Sequence, residues 1–157
     1  MWFLNISSDS AKAVKSKWFA PYQATVKGKV KTNFSFLREQ GHTSGVYFIR
    51  SIRTREIIYV GYSSSQLYST ILHHFTEWND KKQDRYTYAK TGYEIRVILT
   101  TPTRAALLEK YLIQKMQPRD CKMKYDSYLS DTQAARAKEI HEAAPVVDID
   151  DMEEVPF

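Results

Sequence analysis

The residues best suited to chemistry are a carboxylate, two phenols and two imidazoles. Glu109 sits within ALLEKYLIQKM, and its neighbours three and four positions away are Ala105, Ala106, Leu112 and Ile113. A surface glutamate on a helix more often has a Lys or Arg at that spacing. Glu109 therefore falls on or beside an apolar stripe, where a lone charge is costly unless paired or metal-bound. A functional carboxylate and a structural one, satisfied by an internal arginine or tyrosine hydroxyl, fit that spacing equally well. Tyr47 and Tyr59 lie in two short apolar runs, GVYFI and IIYVGY. Tyrosines in strands ordinarily pack the ring and hydrogen-bond at the tip, and neither residue alone departs from that habit. His73 and His74 could carry protons or bind phosphate, or could be half-buried polar residues on a helix flank.

The elements that must position these groups are legible from periodicity. Gly45–Ile49 and Ile57–Tyr62 read as strands, rich in β-branched and aromatic residues and joined by a turn around Arg50–Glu56. With period two, Tyr47 and Ile49 share one face of the first strand, and Ile57, Tyr59 and Gly61 share one face of the second. Gly61 permits close backbone approach or a sharp exit. Ser63–Ser65 reads as a helix cap, after which Leu67, Ile71, Phe75 and Trp78 recur at helical spacing. Thr70 and His74 stand one turn apart on a neighbouring face. Asn79–Thr91 is a polar connection, and Tyr93–Thr101 alternates as a third strand. Thr101-Pro102 opens a helix that must stop before Pro118. A further polar helix runs from Ser130 to about Ala143. The chain thus divides into a basic and aromatic leader that packs on the domain (1–43), a domain (44–128), a C-terminal helix (129–144) and an acidic tail read as disordered (145–157).

Composition limits the function classes. A chain of 157 residues is most simply one domain with tails, and 11 tyrosines, 7 phenylalanines and 3 tryptophans are ample for a core. No apolar run approaches a membrane span, the N-terminus lacks a signal-peptide layout, and a single cysteine excludes an internal disulfide. A soluble, cytoplasmic protein is expected, with no membrane partner. The net charge of +5 conceals an asymmetry: seven of the 18 acids, and none of the 23 bases, fall from Glu139 onward, so residues 1–138 carry +12. A basic body suggests a polyanion partner, and solubility alone is the competing reading.

Taken together, GVY at 45–47, YVG at 59–61, His74-Phe75 on the following helix and ALLEKYLIQKMQPRD at 106–120 resemble the GIY-YIG nuclease family across about residues 44–125. The wider segment is similar to a subgroup common in phages and mobile elements. The resemblance implies a fold of the α/β (α+β) class, with a small three-stranded antiparallel sheet flanked by helices. It implies a metal-dependent endonuclease nicking nucleic acid, DNA ahead of RNA, in a bacterial or phage-infected cell. Tyr47 would be the general base or water-positioning phenol, Tyr59 its partner, His74 a phosphate contact or a support for a tyrosine, and Glu109 the carboxylate on Mg²⁺ or Mn²⁺. Gly61 would let the backbone approach the site.

Two departures stand out. The family's arginine one helical turn before the histidine is here Thr70, and its Pro-Arg-x-Asn ends in Cys121 beside Asp120. Arg85 is the first candidate to replace the arginine, with His73, Lys82 and Arg50 behind it. The acidic tail ending DIDDMEEVPF is similar to the tip of bacterial single-stranded-DNA-binding proteins. That similarity implies a replication or repair partner for Asp150, Asp151, Pro156 and Phe157, or an intramolecular screen over the basic body. The classes in contention are therefore the nuclease, a binding module on a degenerate nuclease fold, and an adaptor working through the tail.

Overall fold

The computed structural model describes residues 13–23, 31–38, 43–76 and 86–154. At its centre β2 (Gly45–Ser51) pairs antiparallel with β3 (Ile57–Ser63) on one side and β4 (Tyr93–Leu99) on the other. These are the three strands expected from alternation. The sheet continues, however: β1 (Val14–Ser16) joins β4 antiparallel, and β5 (Val146–Val147) joins β1 in parallel, giving the order β3-β2-β4-β1-β5. The fold is α+β with a five-stranded mixed sheet, which corrects the expected three-stranded antiparallel one. Strands of three and two residues are too short to display a period, and they form because the free edge of β4 offers unpaired backbone groups.

Alternation along the central strands divides the core in two. Tyr47, Ile49, Ile95, Val97 and Leu99 face one side with Leu67, Ile71 and Phe75 from α1 (Leu67–His74) and its following residue. Phe34, Phe36 and Leu37, around the 3₁₀ turn Ser35–Arg38, close the same side. Val46, Phe48, Val60 and Ile98 face the other side, against α2 (Pro102–Met116) and α3 (Asp131–Ala143). The described part of the leader thus supplies a strand and core aromatics. Trp2, Phe3 and the lysines at 12, 27 and 29 lie outside the described residues, as does Trp78.

The expected common face of Ile57, Tyr59 and Gly61 holds only for the last two. Pairing jumps from Ile49↔Tyr59 to Arg50↔Ile57, leaving Ile58 as the extra residue of a β-bulge. Ile58 joins the Tyr47 side, and Ile57 packs on the α2 side. Local chemistry sets the helix ends. Gln66, not a serine, occupies the cap position of α1, while Ser63 Oγ accepts from the Gln66 amide at 2.9 Å. Thr101 is extended before Pro102, and α2 closes on Gln117 in the left-handed region at φ 47°. Ser130 and Gln133 form a reciprocal capping box on α3.

The tail from residue 145 is ordered through residue 154, contrary to the expected disorder. Val146 and Val147 pair with Lys15 and Ser16, and a 3₁₀ turn follows at Ile149–Glu154. Met152 is fully buried in the Tyr47-side core, and Asp148 pairs with Lys17 at 2.6 Å. The segment is too poor in apolar residues to fold alone, as its composition indicated. It is ordered because it borrows the edge of β1 and a slot in a core that already exists. Among the described residues no helix is long and apolar enough to cross a membrane.

Candidate active site

Antiparallel pairing places Tyr47 directly opposite Gly61 and leaves Tyr59 two residues along the same face. The two phenol rings stack with centroids 5.9 Å apart. Gly61 is what makes room for them: a Cβ there would lie 2.6 Å from Tyr47 Cζ and 2.9 Å from Tyr59 Cε1. Its absent side chain therefore serves the tyrosine pair. Gly45 has a separate, structural reason, since a Cβ there would meet the Ile98 carbonyl of β4.

His74, the last residue of α1, closes the constellation. Its Nδ1 is 2.7 Å from the Tyr86 carbonyl oxygen, and its Nε2 is 2.8 Å from the Tyr47 hydroxyl. A carbonyl only accepts, so Nδ1 carries the proton and Nε2 is the acceptor. Tyr47 then donates to Nε2, while its ring stacks on that of Tyr59. The result is a compact three-ring cluster of Tyr47, Tyr59 and His74, with the Tyr47 hydroxyl hydrogen-bonded to the imidazole. Burial holds His74 neutral, lowering its pKa to about 4, with the Tyr86 carbonyl pulling the other way. Burial likewise pushes the Tyr47 phenol far above its ordinary value, with Tyr59 and the Glu109 charge adding to the effect. Tyr47 is only 2% exposed, whereas Tyr59 is half-buried and lines a small cleft with Tyr86, Asp120, Lys122, Met123 and Lys124. Tyr59 is thus the phenol a substrate can meet, and Tyr47 stands behind it.

Glu109 reaches the same edge of the sheet from α2. Its carboxylate is buried and pairs with Lys124 Nζ at 3.3 Å. Burial raises its pKa, and the Lys124 and Lys110 charges and the Tyr62 amide oppose that rise. The internal partner left open by the spacing is therefore a lysine. Among the described residues no three His, Cys, Asp or Glu side chains gather as a metal-ligating group. A single carboxylate of this kind suits a Mg²⁺-type ion, which keeps several waters and completes its shell with substrate phosphate.

The supporting contacts were not foreseen from the sequence. Tyr88 donates to Asp120 at 2.6 Å, its ring lies 6.0 Å from that of His74, and its amide bonds the His74 carbonyl. Burial, reinforced by Asp120, pushes the Tyr88 phenol well up. Cys121 takes both edges of one β3 peptide position, accepting from the Val60 amide and donating to the Val60 carbonyl, each at 3.4 Å. Burial raises its thiol to about 11, so it remains the protonated donor this requires.

The proposed arginine substitutes are distributed unevenly. Arg50 lies on the opposite face from Tyr47, stacked 4.0 Å over Trp18 and paired with Glu94 at 3.3 Å, so it is not part of the site. Period two requires this, since Arg50 and Tyr47 are three residues apart on one strand. His73 is exposed beside His74. Thr70 Oγ1 turns back to the Gln66 carbonyl at 2.8 Å and brings no charge. Lys82 and Arg85 lie outside the described residues, as do Pro156 and Phe157. Asp150 and Asp151 are exposed on the docked tail. No protein-family model matches the chain, and neither a curated protein nor a solved structure matches it. The functional reading therefore rests on the geometry of the chain itself.

Proposed function

We propose that the protein is a metal-dependent endonuclease of the GIY-YIG type that nicks phosphodiester bonds, in DNA ahead of RNA. The observation that carries this reading is the clustering of Tyr47 and Tyr59 with a neutral His74 that accepts from Tyr47, beside the buried Glu109 carboxylate. Water bound against Tyr59 loses its proton to the Tyr59 oxygen as the Tyr59 proton passes to Tyr47 and the Tyr47 proton passes to His74 Nε2. The hydroxide attacks phosphorus, the P–O bond to the leaving oxygen breaks, and the proton returns from the imidazolium through the two tyrosines to the leaving oxygen. Glu109 would hold Mg²⁺ or Mn²⁺, which supplies Lewis-acid polarisation of the phosphoryl oxygen when bound. The roles differ from those implied by the family resemblance in one respect: Tyr59 faces the substrate and Tyr47 relays. The proposed setting is phage or mobile-element DNA metabolism in bacterial cytoplasm, with a replication or repair protein as a further partner of the acidic tail.

Thr70 favours a second reading, a binding module without turnover, because its hydroxyl is spent on its own helix where the family places a cation. One assay separates the two. Wild type and Glu109→Ala are incubated with supercoiled plasmid, single strand and branched duplex in Mg²⁺, Mn²⁺ or EDTA. Metal-dependent nicking that disappears in the variant is expected. Tight binding by a folded wild type that cuts nothing would replace the nuclease with the binding module.

A further inference from the structure

Glu109 and Lys124 form an unequal pair. The Glu109 side chain is 6% exposed on a long helix, whereas that of Lys124 is 46% exposed at the end of the 3₁₀ turn Arg119–Lys124. A buried carboxylate needs a donor or a cation, but a lysine on a flexible four-carbon stem can leave one partner for another. Lys124 also lines the cleft into which Tyr59 opens, with Lys122 beside it. A phosphodiester entering there meets the Tyr59 phenol and an ammonium that is held, until then, by the carboxylate. Thr70 brings no charge to the site, and Arg50 is on the wrong face.

We propose that Lys124 is an exchangeable counter-ion. It neutralises Glu109 while the site is empty, and it transfers to the substrate phosphate when a divalent cation takes over the carboxylate. The inference rests on the nuclease reading above and deepens it by naming the residue that supplies charge to the phosphoryl group. The exchange keeps the buried carboxylate paired in both states, so neither state leaves an orphan charge. It also has a consequence opposite to that of a merely structural ion pair: Lys124 competes with the metal.

The test uses full-length protein and three variants, Lys124→Gln, Lys124→Arg and Glu109→Gln, after thermal melts establish that each is folded. Mn²⁺ affinity is measured by calorimetry, and binding of a single-stranded oligonucleotide is measured across salt concentrations in Ca²⁺, which occupies a carboxylate without Mg²⁺-type cleavage chemistry, and in EDTA. Removing a half-exposed competing cation should tighten Mn²⁺ binding about three- to tenfold in Lys124→Gln. The same variant should lose about one unit from the log–log salt slope for the oligonucleotide in Ca²⁺, and none in EDTA, where Glu109 retains Lys124. Its metal-dependent cleavage should fall on the order of 10²-fold, with partial rescue in Lys124→Arg. Unchanged Mn²⁺ affinity and salt slope in Lys124→Gln, with wild type still cutting and Glu109→Gln inactive, would overturn the exchange and leave the nuclease intact. Wild type that neither binds Mn²⁺ nor cuts would instead overturn the nuclease reading, and the exchange with it. Failure of Lys124→Gln to fold leaves the question to Lys124→Arg, whose longer, planar head must shift Mn²⁺ affinity if the site is contested.

Discussion

His74 is held neutral by burial, and that has two measurable consequences of known sign. Its pKa falls from 6.5 to about 4, so the acid limb of cleavage should lie near pH 4 to 5 instead of near 6.5. A pH–rate profile of kcat/KM checks this, and a limb at 6.5 would remove His74 from the proton path. The unfolded chain takes up this proton near pH 6.5 and the folded chain only near 4, so the stability associated with neutral His74 is lost as pH falls through that window. The gap of about 2.5 units corresponds to roughly 3 kcal/mol. His141 is lowered to about 4 as well and acts in the same direction. Glu109 acts oppositely, because its raised pKa contributes stability at low pH that is lost as pH rises through the folded value. Melts of wild type and His74→Gln between pH 4 and 7 should show a shallower fall in the variant, since glutamine cannot charge. Tyr47→Phe removes the phenol proposed to relay the proton and leaves Nε2 without its donor. Cleavage should drop about 10²- to 10⁴-fold and stability by about 1–3 kcal/mol, whereas oligonucleotide affinity should hold because Tyr47 is buried.

At the level of elements, the C-terminal segment is the clearest case of structure that composition could not announce. Met152 is fully buried, so Met152→Ala should cost about 2–5 kcal/mol, a fall in Tm on the order of 10 °C for a chain this size. Deleting residues 145–157 should fall further and promote self-association, because it also uncovers the edge of β1. Thermal melts and light scattering measure both, and an unchanged Tm in either protein would mean the segment is not integral. Strands β2, β3 and β4 and helices α1, α2 and α3 were legible because each is long enough to repeat its period. The start of α2 at Thr101-Pro102 and its end before Pro118 were legible from capping chemistry alone. The bulge at Ile58 was not, since alternation carries no mark of an inserted residue, and it moved Ile57 to the opposite face. Glu109 was visible as an acid among apolar neighbours, but its partner was not. Lys124 follows 15 residues later, after a left-handed Gln117 and a 3₁₀ turn that reverse the chain, and no periodic rule spans such a reversal.

The arrangement of charge over the whole molecule decides what the acidic tail can do to the site. The strand order β3-β2-β4-β1-β5 puts the docked tail at one edge of the sheet and Gly61, at the tyrosine pair, on the other. Four inter-strand steps of about 4.8 Å separate them by roughly 19 Å. The Debye length is about 8 Å at physiological salt and about 30 Å at 0.01 M. Repulsion from Asp148, Asp150 and Asp151 should therefore be screened from a nucleic acid in the cleft under physiological conditions, and felt only when salt is removed. Replacing the three aspartates with asparagine leaves Met152 and β5 in place, so the fold is preserved while the charge is removed. Oligonucleotide affinity should then change by less than about twofold at 0.15 M salt and tighten several-fold at 0.01 M. A large gain at 0.15 M would mean that the acids lie much nearer the bound strand than the sheet order allows. In that case screening of the basic body, and not recruitment of a partner, would be the tail's function. Unchanged affinity at both salts would remove electrostatic screening altogether and leave the exposed acids free to meet a second protein.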